Sequence, residues 1–394
     1  MAMKPLSKAV AFAAMAISGA AIAETPTLKE VLGVSDITVS GYIDASYNYY
    51  DVDPAEQPGT LLNYFDQDKS SFNLKQASVT VASQPKEGFG GLVNLTLGND
   101  AKYIHSYGAG SSDSDFDVTQ AWFQYATGPF TIYGGKFNTL AGAEVIAPTG
   151  NTNISRSIAF LQALPFTHTG LRVAYMPTDT LTLYAGINNG WDQQQDINSD
   201  KTGELGMVWN ATSMFSWAAS VYNGKETVCD PTSGVDVDGN CLGDQDSNRF
   251  LFDTVLTFKP VDGLALILNY DYGKQDDAIL DANGQTDDAE WEAIVGYVNY
   301  QFNDLWRISV RAEQYNDKDG WKVGLTDQDI DSPTFGELSD KTTSYAVTVG
   351  YMPTANFELR GEVRQDFTDK DALIDGDKAT DNQTFVALEG LYKF

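Results

Sequence analysis

Arg307, Arg311 and Glu313 fall at even spacing in one short segment, and Glu358, Arg360, Glu362 and Arg364 do so in another. At a period of two, each set shares one face of an extended strand, while Trp306, Ile308 and Val310, or Phe357, Leu359 and Gly361, take the other. A packed apolar core rejects such guanidinium and carboxylate groups, whereas a water-filled interior accepts them. Opposed charges across a narrow aqueous space create a transverse field that sorts small solutes by charge and dipole. The same groups could instead brace a wall as cross-strand pairs. Asp44, Arg156, Arg172 and Glu204 complete the set of candidate lining residues.

Other chemistry is poorly supplied. The chain has two histidines, His105 and His168, and spacing alone joins neither to a Ser and an Asp. No catalytic residue, metal ligand or cofactor is therefore expected, and the chain does not read as an enzyme. The D-x-D-x-D at Asp327, Asp329 and Asp331 lacks the glycine and glutamate of a calcium-binding hand. With Asp236 and Asp238, Asp244 and Asp246, and Asp276 and Asp277, it reads as solvated loop charge, or as a bridge to lipopolysaccharide through divalent ions. Cys229 and Cys241 close a small loop and suit a disulfide in an exported protein.

The elements that must carry these residues are strands. Ile37, Val39, Gly41, Ile43, Ala45, Tyr47 and Tyr49 alternate with Thr38, Ser40, Asp44, Ser46 and Asn48. Leu264 to Tyr272 repeats the pattern, and so does the carboxyl-terminal run, where Val386, Leu388, Gly390 and Tyr392 oppose Glu389 and Lys393. Seven short turns alternate with eight long polar loops, which implies an all-β transmembrane antiparallel barrel of about sixteen strands. Short turns should face the periplasm and long loops the exterior. Ser71 to Ala82 and Glu290 to Phe302 lose strict alternation, so a bulge or register slip is expected in each. Tyr392 and Phe394 are expected in an aromatic girdle and as an assembly signal for the barrel assembly machinery, with the last strand pairing to Ile37–Tyr50.

Lys4 and Lys8, an alanine-rich stretch and Ala21-Ile22-Ala23 fit a signal peptide over 1–23, followed by a short periplasmic segment over 24–36 and the barrel over 37–394. Mean hydropathy is only −0.27 because lipid-facing and water-facing residues average out. With 54 acidic against 25 basic residues, nucleic acid is not an expected partner. Outer-membrane lipid and lipopolysaccharide are.

Gly134-Gly135-Lys136-Phe137, then Ala143-Glu144-Val145-Ile146, Ser155-Arg156-Ser157 and Leu164 through Arg172 resemble a pattern of the OmpL-like beta-barrel porin family; Phe72 to Ala77 also looks like that family. The resemblance implies a bacterial outer-membrane barrel through which small hydrophilic solutes or ions diffuse, without naming a solute. Within it, 138–168 is a loop after the fifth strand whose Ser157 to Leu164 is too apolar for free solvation. By analogy with general porins it could fold inward as a constriction. A closed structural or adhesive barrel and, further off, an outer-membrane hydrolase stay open as alternatives. So does the choice between monomer and homotrimer.

Overall fold

A computed structural model describes residues 37–52, 62–66, 70–109, 114–233, 242–280, 283–326, 328, 330, 332–375 and 378–394. The expected signal peptide, the periplasmic segment, Asp236, Asp238, Cys241, Asp327, Asp329 and Asp331 lie outside these residues.

The strands are β1 Thr38–Tyr50, β2 Ser71–Ser83, β3 Gly88–Leu97, β4 Phe116–Thr127, β5 Phe130–Asn138, β6 Thr167–Thr178, β7 Leu181–Asn188, β8 Thr202–Trp209 and β9 Phe215–Cys229. They continue as β10 Asp244–Phe258, β11 Leu264–Leu280, β12 Thr286–Gln301, β13 Trp306–Asp317, β14 Lys341–Thr354, β15 Phe357–Thr368, β16 Leu373–Asp375, β17 Lys378–Thr380 and β18 Asn382–Lys393. Sixteen of them form one closed antiparallel barrel, and β16–β17 is a separate hairpin in the last loop. Closure runs through β1 and β18, from Tyr42 opposite Lys393 to Tyr50 opposite Phe385, and the Phe394 and Gly41 backbones exchange both hydrogen bonds. No edge is left over, which is what a lipid-spanning sheet requires.

Alternation sorts the faces. In β15, Glu358, Arg360, Glu362 and Arg364 are buried in the interior while Leu359 and Val363 are exposed outward. Outward aromatics near the short turns pair as Trp306–Tyr351, Phe130–Tyr175 and Tyr392–Phe394, the arrangement of an interfacial girdle.

The irregularity expected in Ser71–Ala82 is a bulge: register slips between Asp44 and Ala45 of β1, and Lys75 and Gln76 of β2 are both buried. The one expected in Glu290–Phe302 does not occur. Residues 290–301 pair without slippage on both sides, and their alternation is blurred because the inward residues Trp291, Ala293, Val295 and Tyr297 are apolar too. The slip lies on β11, between Gln275 and Ile279. Two long connectors are shorter than expected. Polar residues Asn223–Cys229 and Asp244–Ser247 remain in the ladder, since backbone pairing does not need apolar side chains, and β11–β12 likewise leaves only 281–285. Cys229 is disulfide-bonded.

Candidate functional site

The loop of residues 139–166 leaves β5 and turns into the barrel. Its Leu140, Ile146, Ile158, Phe160, Leu161 and Leu164 are buried in one cluster with wall residues Tyr222, Trp291, Tyr297 and Tyr315. These apolar inward wall positions match the loop's apolar face, which removes both from water. β13 lies eight strands from β5 in a ring of sixteen, so loop atoms that touch β13–β15 have crossed the full diameter.

Buried backbone groups on such a crossing need partners, and the charged wall provides them. Glu362 accepts from Ile154 N at 2.7 Å, Ser155 N at 3.1 Å and the Ser155 hydroxyl, while Thr348 donates to it at 2.7 Å. Arg311 donates to Ser155 O at 2.7 Å, and Arg307 to Thr152 O at 2.7 Å. Arg360 donates to Pro148 O at 3.2 Å, and Glu313 accepts from Ala159 N at 3.3 Å. Glu144 of the loop is the reciprocal anion: it pairs with Arg311 at 3.0 Å and accepts from Ser157 N at 2.6 Å. Nearer the short turns, Arg307 and Arg360 share Glu358, and Gly350 leaves room for that cluster because a Cβ there would collide with Glu358 and Arg307.

The base of the loop is pinned separately. Arg172 forks onto Glu204 at 2.6 and 3.0 Å, donates to Asn138 O at 3.0 Å and covers the Phe137 ring. Asp192, in the β7–β8 loop, accepts from Phe166 N and Thr167 N at 2.9 and 2.8 Å; burial pushes its carboxyl up to about 6 against those stabilising donors. His168 meets the Gly190 carbonyl and stacks on Tyr222, and His105 lies 3.5 Å from Asp117. Among the described residues no serine hydroxyl bonds either ring.

Of the residues singled out from sequence, Arg307, Arg311, Glu313, Glu358, Arg360 and Glu362 come together around the loop. Arg172 and Glu204 pair at its base. Arg364 stands apart, bonded to Asp366, Asp66 and Tyr50, and Arg156 makes no close ion pair among the described residues: its guanidinium donates to the carbonyls of Val145, Ile146 and Ile154 in its own loop. Asp44 is buried with neither carboxylate oxygen hydrogen-bonded. Sequence reasoning passed over Glu144 and Lys75, the latter paired with Asp66 at 3.0 Å. The lone acid inside the Ala143–Ile146 motif was the available signal for Glu144.

The family model described as Putative beta-barrel porin-2, OmpL-like, matches residues 36–394. The chain belongs to this family. It is an outer-membrane porin by family, and its place is the bacterial outer membrane. None of the curated proteins compared matches it in sequence. Solved structures agree on the fold. In vitro folded OmpT of Vibrio cholerae in its trimer form has a TM-score of 0.61 at 10% identity, covering 91% of this chain and 99% of that one. The anion-selective porin from Comamonas acidovorans has 0.57 at 11%, with 91% and 99% covered, and OprB of Pseudomonas putida 0.55 at 14%, with 91% and 94% covered.

In this porin the loop divides the lumen. Toward the short turns, the inward residues Val208, Ser216, Ala218, Thr257 and Asn299 on the β8–β12 side are partly exposed. At loop level the wall charges are sealed: Arg311 is 0% exposed and Glu362 2%.

Proposed function

We propose that this porin passes small hydrophilic solutes and ions by passive diffusion, and that the loop of residues 139–166 sets the size of the opening. The observation that carries the reading is the Glu362 contact, where a lumen carboxylate two β-strands from the barrel seam binds consecutive backbone N–H groups of a loop that started on the opposite wall. A loop held by charge-assisted hydrogen bonds keeps one position against thermal motion, as a size filter must. Glu204, through Arg172, and Arg307, Arg311, Glu313, Arg360 and Glu362 then act chiefly through the loop they position, and any permeant meets the summed field of the wall charges. The homotrimer is proposed on the likeness to the trimer form of Vibrio cholerae OmpT.

The burial of the wall charges favours a second reading, a barrel closed by its own loop. Planar-bilayer recordings of refolded residues 24–394 separate the two. Discrete open steps support diffusion, whereas a stably folded barrel that stays silent supports closure.

A further inference from the structure

A second cluster of charged and aromatic side chains lies beyond the crossing loop, at the end of the barrel that carries the long loops. Trp191 comes from the β7–β8 loop, Trp321 and Lys322 from the β13–β14 loop, Trp291 from β12 and Arg249 from β10. Trp291 meets Trp191 edge-on at 6.2 Å and stacks on Trp321 at 5.5 Å. Gly273, opposite Trp291, makes this possible, because a Cβ there would occupy the space of the indole. Arg249 lies 5.0 Å and 5.2 Å from the Trp191 and Trp321 ring centres; Lys322 lies 5.3, 5.0 and 5.3 Å from those of Trp191, Trp291 and Trp321.

Two cations thus converge on one indole floor, and among the described residues neither makes a close ion pair. The acids facing them are Glu226 from β9, Asp192 from the β7–β8 loop and Asp317 from the end of β13. Each is already engaged: Glu226 with Trp191 N, Gln193 and Thr202; Asp192 with Phe166 N and Thr167 N; Asp317 with Lys322 N and Val323 N. Arg249 gives its Nε to Gln275 at 2.7 Å. Among the described residues its remaining four N–H groups, and the three of the Lys322 ammonium, have no protein acceptor. Both side chains are partly exposed, so these donors are within reach of the aqueous mouth.

We propose that Arg249 and Lys322 form an oxyanion subsite at the outer mouth of the barrel, binding the carboxylate or phosphate group of a small solute above the tryptophan floor. The guanidinium offers a planar fork for two oxygens and the ammonium a third donor. Burial first, and then the neighbouring Arg249 charge, hold Lys322 down to about 7 against the opposing pull of Asp317, Asp192 and Glu226. A bound oxyanion of fixed charge favours the protonated amine, so its binding weakens as pH rises. The site offers anions a foothold on an otherwise strongly acidic chain, whose net charge is −29. It does not depend on diffusion through the loop.

The test is tryptophan emission of the refolded mature chain in detergent, titrated with sodium phosphate and separately with sodium acetate, against sodium chloride at matched ionic strength. The expected result is a saturable change in the millimolar range, with half-saturation for acetate, whose charge is constant over this range, about tenfold higher at pH 9 than at pH 6. It disappears in the R249Q/K322M double variant, whose heat-shifted gel mobility reports an intact barrel. A response to one salt alone assigns the ligand class as phosphate or carboxylate. Lys322→Arg keeps the charge, so it binds with a flattened pH profile even if the double variant fails to fold. A linear response, a response equal to that of chloride, or saturation unchanged in the double variant overturns the proposal. Because emission rather than conductance is read, that failure would leave the diffusion reading untouched.

Discussion

Replacing Glu362 by alanine removes the acceptor for Ile154 N, Ser155 N and two hydroxyls at once. Hydrogen bonds to a charged group contribute about 1.5–3 kcal/mol each, so the two backbone donors alone set a ceiling of about 3–6 kcal/mol. Water entering the vacated site offsets part of this, and a net loss of about 3 kcal/mol is expected. At about 1.4 kcal/mol per tenfold, the ratio of released to docked loop rises about 100-fold. The sixteen-strand ladder is untouched, so heat-shifted gel mobility should match wild type while single-channel records gain excursions to a larger conductance. Glu362→Gln retains one oxygen and should show a smaller effect, about tenfold. If the alanine variant folds and its records superimpose on wild type, the carboxylate does not hold the loop and the reasoning from its hydrogen bonds is wrong.

Arg311→Gln leaves Glu144 and Glu313 without their cation, and breaking a buried pair in this way costs about 3–5 kcal/mol. Its loop should loosen, and with Arg307→Gln the reversal potential in a salt gradient should move toward cation selectivity; unchanged potentials count against that. Deleting Phe394 removes the reciprocal backbone bonds with Gly41 and an outward girdle ring. Membrane levels of folded barrel should fall more than the conductance of the fraction that assembles, as quantitative blots and bilayer recordings will show. Lys322, held at about 7, is mostly neutral at pH 8, whereas an ordinary lysine near 10.4 is less than about 1% neutral there. Limited acetylation read by mass spectrometry should therefore modify it before the surface lysines Lys225 and Lys274, and equal rates would refute its setting.

The strands carrying Glu358–Arg364 and Arg307–Glu313 were legible because an alternating charged face is incompatible with a dry core. β12 was misread for the converse reason: Trp291, Ala293, Val295 and Tyr297 face inward yet are apolar, and only the loop lying against them explains it. The inward turn of the loop could be anticipated from the apolar run at Ser157–Leu164. Its anchors could not, since Glu144–Arg311 and Ser155–Glu362 are contacts across the barrel diameter that no local period encodes. Arg156 shows the limit from the other side. Its residue type suggested a field-forming charge, but in a loop whose carbonyls lack regular partners it became a staple for Val145, Ile146 and Ile154. The Lys322 site was equally invisible, because its tryptophans come from two loops and a strand that meet only once the barrel closes.

The claim that the crossing loop limits the opening is tested most directly by comparing single-channel conductance of the refolded porin with that of a variant in which residues 143–163 are replaced by a short glycine–serine link. The barrel strands stay intact in that variant. A several-fold larger conductance, with passage of solutes that the wild type excludes, is the predicted result. Equal conductance and equal solute exclusion in a properly folded variant would contradict it.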